Sequence, residues 1–468
     1  MIKFGTGGWR AIIGDDFIKE NIQKVGQGVA NLYKECGGTT PIIIGYDRRF
    51  MSKDAAVYLA EVLAANGITV WFMNRTAPTP LVMHTVKKQN LNFGLEVTAS
   101  HNPSEYNGIK LFIEEGRDAS IEVTNKLEKI IEGVDIVNTV PFESAVESGQ
   151  IVYLKNPFND FIDDIMNVID MDAIRQKGPR ILFDPMHGSG TYPLMVLLYT
   201  ARSTLDVINF KKDAYFGGHM PAPSKQSLST LTDMVVSEGY DLGIAVDGDG
   251  DRLGIVDSNG SYVGANDILC MLYYYLHVYK GWKGPVVRNL ATTHMLDKIA
   301  EDLGEKCYEV PVGFKHISSK IGETDAILGG ESSGGLTVRG HINGKDSIYA
   351  ATLFVEMLCK TGMTATEFMN LLREKYGNFE MVESNIHFAP SYKEVIHKIV
   401  FEDKALPDFN REIEKVTYED GCKVYFKDGG FIICRFSGTE PLLRIFAESE
   451  TIEKAKKSIN DFRDFLKI

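Results

Sequence analysis

Paired cysteines are missing from this chain. Its six cysteines (Cys36, Cys270, Cys307, Cys359, Cys422 and Cys434) are scattered over 468 residues with no CxxC and no zinc-ligand spacing. That pattern excludes a disulfide scaffold and reads as reduced thiols of a cytosolic protein. An excess of positive charge is missing too. Lys and Arg number 50 against 63 Asp and Glu, a formal net charge of −13, which argues against a protein that coats nucleic acid. A phosphorylated small substrate is still allowed, because a few local arginines can hold phosphate on an acidic protein. No apolar run approaches the roughly 20 residues of a membrane-spanning helix; the longest, ILCMLYYYLHV from Ile268, is too short. The opening MIKFGTGGWR lacks the apolar segment of a secretory signal, and no low-complexity linker interrupts the chain. The expectation is a soluble, cytoplasmic protein with no membrane or nucleic-acid partner, as a monomer or dimer.

What is present is ordinary in amount and ordered in pattern. Hydrophobic residues make up 44% and charged residues 24%, enough for substantial cores. The length suits about three or four domains. Three apolar runs behave alike: PIIIGYDRR from Pro41, RILFDPMHGSG from Arg180 and PVVRNLATTH from Pro285. Each reads as a buried strand ending in polar or glycine-containing turn residues. Segments with helical spacing follow, such as DAAVYLAEVLAANG from Asp54 and THMLDKIAEDLG from Thr293. Strand–helix alternation predicts α/β domains with mainly parallel strands and ligands beyond the strands' carboxyl ends. Near the C-terminus, FIICRF and LLRIFAES flank a short loop before the amphipathic TIEKAKKSINDFRDFL, the signature of a smaller α+β domain. The expected divisions are 1–155, 156–258, 259–372 and 373–468.

Four loops carry chemistry. In LNFGLEVTASHNP, alternate apolar residues from Leu91 to Val97 predict a strand that ends at Thr98 and presents Ser100 at its carboxyl end. A capping or turn role would also explain that serine. Its hydroxyl needs a base or a metal to become reactive. His101 is a sequence neighbour, and neighbours on an extended chain point apart, so a simple Ser–His pair is not expected. In AVDGDGDR, Asp247, Asp249 and Asp251 alternate directly after an apolar run. Three carboxylates so close repel unless a cation lies between them, and hard oxygen ligands suit Mg²⁺. An EF-hand loop would need Gly at its sixth position and Glu at its twelfth; here Arg252 and Ser258 stand there. The glycine-rich GGESSGG places Glu331 and Ser333 where they can hydrogen-bond hydroxyls, while Lys315, His341 and Lys345 sit in neighbouring polar loops. In RFSGTEPLLR, Ser437, Gly438 and Thr439 can turn backbone N–H groups towards an anion, with Arg435 and Arg444 adding forked hydrogen bonds. Arg10 in FGTGGWR is a further phosphate contact by the same chemistry.

Together TASHNP, DGDGDR, the GES-SG loop and RFSGTEP resemble the α-D-phosphohexomutase superfamily, which includes phosphoglucomutases, phosphomannomutases and phosphoglucosamine mutases. The similarity runs from FGTGGWR to RFSGTEP. It implies four domains around a central cleft, three of them related α/β domains with mixed sheets and the last a smaller α+β domain. It implies a phosphoryl group on Ser100, with Mg²⁺ bound by Asp247, Asp249, Asp251 and the phosphoserine. It implies transfer between C1 and C6 of a hexose phosphate through a hexose 1,6-bisphosphate, which also acts as activator. Arg435, Ser437, Gly438, Thr439 and Arg444 would then clamp the distal phosphate. Arg252, Lys315, Glu331, Ser333, His341 and Lys345 would contact substrate. Lys110 and Arg10 are the acid–base candidates, Arg10 better suited to orienting phosphate, and His101 supports the phosphoserine. GESSGG departs from the GEQSGH-like loop of phosphoglucosamine mutases and the GEMSAH-like loop of bifunctional phosphomannomutases. VGFKH and HINGKD look closer to glucose-type loops, so glucose phosphate is favoured, with phosphomannomutase or phosphoglucosamine mutase as alternatives. A metal-dependent phosphohydrolase and a non-catalytic sugar-phosphate-binding protein are the competing classes.

Overall fold

The computed structural model describes residues 2–5, 7–436 and 442–468. Its first sheet has eight strands: β1 (Phe4–Gly5), β2 (Gly8–Ile12), β3 (Ile42–Tyr46), β4 (Val70–Phe72), β5 (Phe93–Val97), β6 (Tyr106–Ile113), β7 (Arg117–Asp118) and β8 (Ile151–Tyr153). They lie in the order β1-β2-β6-β5-β3-β4-β8, with β7 on β6. The IIIGY of β3 and the FGLEV of β5 are buried throughout. Strands covered on both faces by helices are buried along their whole length rather than on alternate residues, and in β5 that burial takes in Glu96.

The second sheet is built from β9 (Arg180–Asp184), β10 (Thr204–Val207), β11 (Leu242–Val246), β12 (Leu253–Asp257) and β13 (Tyr262–Val263). The third comprises β14 (Val286–Asn289), β15 (Cys307–Val310), β16 (Leu328–Gly330) and β17 (Leu336–Val338).

One topology recurs in all three. In the first sheet β4, β3 and β5 run parallel and β6 returns antiparallel beside β5. The set β10, β9, β11 with β12, and the set β15, β14, β16 with β17, repeat that arrangement. Helices Ser52–Ala65 and Thr79–Lys88, then Thr191–Thr200 and Ser229–Glu238, then Met295–Asp302 and Phe314–Thr324 make the crossovers. The last hairpin of each unit therefore carries one of the predicted loops: TASHNP between β5 and β6, DGDGDR between β11 and β12, ESSGG between β16 and β17.

The C-terminal sheet holds β18 (Glu380–His387), β19 (Ile413–Thr417), β20 (Cys422–Phe426), β21 (Phe431–Phe436) and β22 (Leu442–Ser449) in the order β18-β22-β21-β20-β19. Helix Ile452–Leu466 covers it, burying Ile459 and Phe462 with Val424, Leu443 and Ile445. One apolar cluster runs through the first three units without a break, while the last unit has its own. β13 pairs with β12, so the second sheet extends past the expected 258, and helix Ala365–Tyr376 runs through the expected division at 372. Among the described residues no helix is long and apolar enough to cross a membrane.

Candidate active site

β5 stops at Val97, and the chain turns sharply because Ser100 adopts a left-handed backbone, φ 52°. A hydrogen-bonded relay fixes that turn. The Ser100 N–H donates to Thr98 Oγ1 at 2.8 Å, and Thr98 Oγ1 donates to Asp47 Oδ2 at 2.7 Å. Asp47 also accepts from Ser52 Oγ at 2.6 Å and from the Arg49 N–H at 2.9 Å. Burial raises its carboxyl above the ordinary range, opposed by Arg49. The Arg49 guanidinium is buried against the loop's own backbone, donating to the carbonyls of Ser100 and Asn102 at 2.6 Å, Pro103 at 2.8 Å and Tyr106 at 3.1 Å. Five N–H donors in a rigid fork suit that task.

Ser100 is itself buried, its Oγ 3.2 Å from Asp247 Oδ2 and 3.3 Å from His101 Nδ1. The extended-chain expectation that Ser100 and His101 point apart is therefore corrected: positive φ at the serine swings the two side chains to one side. Burial, then Arg252 and Arg10, hold His101 well below the ordinary imidazole range, so it is neutral. Arg10 reaches the loop from β2, donating from Nη1 to Asn102 Oδ1 at 2.5 Å.

Asp247, Asp249 and Asp251 are all buried, and one carboxylate oxygen of each lies within 4.8 Å of the others. The turn holds them there through the Asp251 and Arg252 N–H groups, which donate to Asp247 Oδ1 at 2.8 and 3.0 Å. Thr79 Oγ1 donates to Asp249 Oδ2 at 2.6 Å. Two lysines supply the countercharge. Lys110 Nζ lies 2.7 Å from Asp249 Oδ2 and 3.0 Å from Asp251 Oδ2, and Lys345 Nζ lies 2.8 Å from Asp251 Oδ2. Burial and the two neighbouring carboxylates push Asp247 well above the usual range. Asp249 and Asp251 fall below it, since the lysines outweigh burial. Asp249 Oδ1 and Asp251 Oδ1 are buried with no hydrogen-bond partner among the described residues. Carboxylate oxygens held together, buried and only part satisfied are a donor set that fits a hard divalent cation. Arg252 approaches only peripherally, its Nε 3.9 Å from Asp251 Oδ1.

Lys110 does not sit as a proton acceptor. Asp249 and Asp251 outweigh the cost of burial and raise its pKa, holding it as an ammonium ion.

Gly248 and Gly335 explain how the loops close on one another. A Cβ on Gly248 would lie 2.7 Å from the Ser100 carbonyl oxygen, and one on Gly335 would strike the Lys345 stem. Glu331 accepts from Asn289 Nδ2 at 3.0 Å and from the Gly313 N–H at 3.1 Å, with Ser333 Oγ 3.5 Å from its other oxygen. Lys315 follows in the first turn of helix Phe314–Thr324. His341 is not with them. Its Nε2 is 2.6 Å from Asp346 Oδ2 and its ring stacks on Tyr349 at 4.7 Å, so it braces the cap of helix Ser347–Thr361.

In the last sheet Arg435 and Arg444 are directly opposed across β21 and β22, and Arg435 Nη2 is 3.0 Å from Asp420 Oδ1. Ser437, Gly438 and Thr439 lie outside the described residues. Sequence reasoning missed Asp47, Arg49, Thr79 and Asn289; only the DRR that closes β3 hinted at the first two.

Models of phosphoglucomutase/phosphomannomutase α/β/α domains I, II and III match residues 1–136, 159–260 and 265–376, and the model of the C-terminal domain matches 396–465. The chain belongs to this family. A phosphoglucomutase/phosphomannomutase of Thermococcus kodakarensis is 30% identical over 97% of this chain and 96% of its own length. A phosphoglucosamine/phosphogalactosamine mutase of Sulfurisphaera tokodaii is 26% identical over 98% of each. A phosphoglucomutase/phosphomannomutase family protein of Burkholderia thailandensis shares the fold, with TM-score 0.82, 21% identity, and coverage of 100% of this chain and 98% of that one. Phosphohexomutase membership fixes the class of reaction, an isomerisation of sugar phosphates.

Proposed function

We propose that this phosphohexomutase moves a phosphoryl group between C1 and C6 of glucose phosphate through a phosphorylated Ser100 and a glucose 1,6-bisphosphate. The observation that carries the reading is Ser100 Oγ standing 3.2 Å from one carboxylate of a buried three-aspartate cage. Asp247, Asp249 and Asp251 would hold Mg²⁺, which supplies positive charge to the oxygens of the transferring group. In the first half-reaction the bond from Ser100 Oγ to phosphorus breaks as one forms to the sugar's free hydroxyl oxygen. The hydroxyl proton ends on Oγ. Neutral His101, 3.3 Å from Oγ, is placed to carry that proton at the serine side. Arg10 acts as a fixed cation that orients phosphoryl oxygens in line, the positioning that dominates such transfers. The second half-reaction is the reverse, with the bisphosphate turned end for end.

That turn requires a clamp that takes either phosphate. Arg435 and Arg444 support it, because they stand directly opposed across a strand pair with Asp420 on Arg435 alone, two forked donors on one face that suit a phosphate. Glu331, oriented by Asn289 and Gly313, would accept from ring hydroxyls, with Ser333, Lys315 and Lys345 around it. The relative named as a phosphoglucosamine/phosphogalactosamine mutase keeps a 2-amino sugar phosphate as the second reading. Discrimination at C2 rests on few polar contacts, worth about 1–3 kcal/mol where the pocket does not bury a dedicated partner.

The test compares glucose, mannose and glucosamine 1-phosphates with Mg²⁺ and a trace of the matching bisphosphate. The largest kcat/KM is expected for glucose. A larger value for glucosamine replaces the substrate, and release of inorganic phosphate faster than isomerisation replaces the reaction class. Ser100→Ala is expected to lower turnover at least about 10⁴-fold with the fold retained, since no other group becomes the phosphoryl carrier. Substantial residual mutase activity would refute the phosphoserine.

A further inference from the structure

Directly behind the cage lies a carboxylate that the reaction above does not use. Glu96 is fully buried on β5, and neither of its carboxylate oxygens has a hydrogen-bond partner among the described residues. An unpaired buried carboxyl carries a desolvation penalty with nothing to offset it, so a partner is expected in some state of the protein. Its position in the sheet names one. Gly45 on β3, Glu96 on β5 and Lys110 on β6 form a single cross-strand row. Opposed residues on neighbouring strands present their side chains on one face, with Cβ atoms about 4.5–5.5 Å apart. The Glu96 carboxylate leans towards β3 and fills the place where a Cβ on residue 45 would sit, against Val82. Gly45 thus gives Glu96 a resting place on the side away from Lys110. Lys110 meanwhile points forward and spends its ammonium group on Oδ2 of Asp249 and Asp251, the same two carboxylates whose free Oδ1 atoms a metal ion would use.

We propose that Glu96 is the second seat of Lys110: when the three-aspartate cage takes up its divalent cation, Lys110 leaves Asp249 and Asp251 and pairs with Glu96. The inference rests on the metal reading of the cage. An ammonium group and a divalent cation held on the same two carboxylates repel strongly in a buried site. Without a second seat, the displaced ammonium would be left buried and unpaired. Burial raises the Asp118 carboxyl, opposed by the charges of Lys345 and Lys110. Glu96 is a positioning residue, acting on metal uptake through Lys110.

The test is calorimetric titration of Mg²⁺ into unphosphorylated wild type, Glu96→Leu, Lys110→Met and the double variant. With Lys110 present, Glu96→Leu is expected to weaken Mg²⁺ binding about tenfold, the scale of lost outer-shell partners. In the Lys110→Met background it is expected to change binding by less than about twofold. Equal weakening in both backgrounds would make Glu96 only a remote negative charge, and no weakening in either would show that Lys110 needs no second seat. Each result overturns the exchange. Failure of wild type to bind Mg²⁺ overturns the metal reading itself, and the exchange with it. Should Glu96→Leu not fold, a crystal structure of wild type with Mg²⁺ decides: Lys110 Nζ within hydrogen-bond distance of Glu96 is expected, and Nζ retained on Asp249 or moved to Asp118 rejects the proposal.

Discussion

Arg49 shows what a single side chain can fix. Its guanidinium satisfies four backbone carbonyls between Ser100 and Tyr106 while Asp47 stands 3.4 Å from its Nε. Removing it takes the guanidinium donors from those carbonyls and the countercharge from the buried Asp47 carboxylate, which keeps only its hydrogen bonds from Ser52, Thr98 and the residue-49 N–H. Arg49→Met is expected to cost about 3–5 kcal/mol, the range for breaking one side of a buried ion pair, and to reduce turnover with it. Arg49→Lys keeps the charge but not the fork, so it should recover only part of the stability. A melting temperature for Arg49→Lys equal to wild type would show that charge alone suffices. None of this was legible in the sequence, because the partners are backbone carbonyls whose positions exist only once the loop has turned. That Ser100, Asp247, Asp249 and Asp251 come together at strand ends was legible, since a serine and clustered carboxylates after apolar runs are chemical signals in themselves. The Ser100–His101 pair was hidden by one dihedral angle that residue type does not announce.

At the scale of elements, the same hairpin in three successive units does three jobs. The hairpin from β5 to β6 presents the serine, that from β11 to β12 the carboxylates, and that from β16 to β17 Glu331. Hydrophobic runs foretold the strands leading into each loop, but residue identities between the units were too few to show that the hairpins correspond; hydrogen-bond order shows it. β18 escaped notice because EMVESNIH is largely part-exposed and lacks a clean apolar face. The serine and carboxylate hairpins approach each other at Gly248. A Cβ there would lie 2.7 Å from the Ser100 carbonyl oxygen, a backbone atom tied to Arg49 that cannot easily yield. Gly248→Ala must push the carboxylate hairpin away from the serine hairpin. A misplacement of about 1 Å between reacting groups costs on the order of 100-fold in rate, so kcat should fall by about that factor while the melting temperature shifts only a few degrees. Rapid kinetics on the phosphorylated protein would check it, and a kcat within twofold of wild type would place the hairpin contact outside the chemistry.

Across the whole molecule, the last unit is joined to the third through a buried polar seam flanked by Leu290, Ala291, Phe431 and Ile433. Lys423 Nζ from β20 meets three acceptors of the third unit: Glu309 Oε2 at 2.6 Å, the Leu290 carbonyl at 2.7 Å and His294 Nε2 at 3.1 Å. The His294 ring donates from Nδ1 to the Gly429 carbonyl at 3.1 Å, leaving Nε2 free to accept. Burial, then Arg288 and Lys423, keep that imidazole neutral. Glu448 from β22 accepts from the His294 N–H at 2.9 Å, and its other oxygen has no partner among the described residues. Burial pushes its carboxyl up to about 7. The native state therefore binds a proton that the unfolded chain releases near pH 4.5. The stabilisation tied to that proton is complete below pH 4.5 and is lost as pH rises towards and through about 7. Its size is up to about 3 kcal/mol across the window. Glu448→Gln keeps the acceptor and removes the titration. Relative to wild type, the variant should gain stability between pH 5 and pH 8, read as a rise of a few degrees in the difference of melting temperatures and as slower protease cleavage at the Gly377–Phe379 connection. A difference between variant and wild type that does not change over this range would mean that Glu448 carries no extra proton, and that Lys423, Glu309 and His294 alone hold the seam.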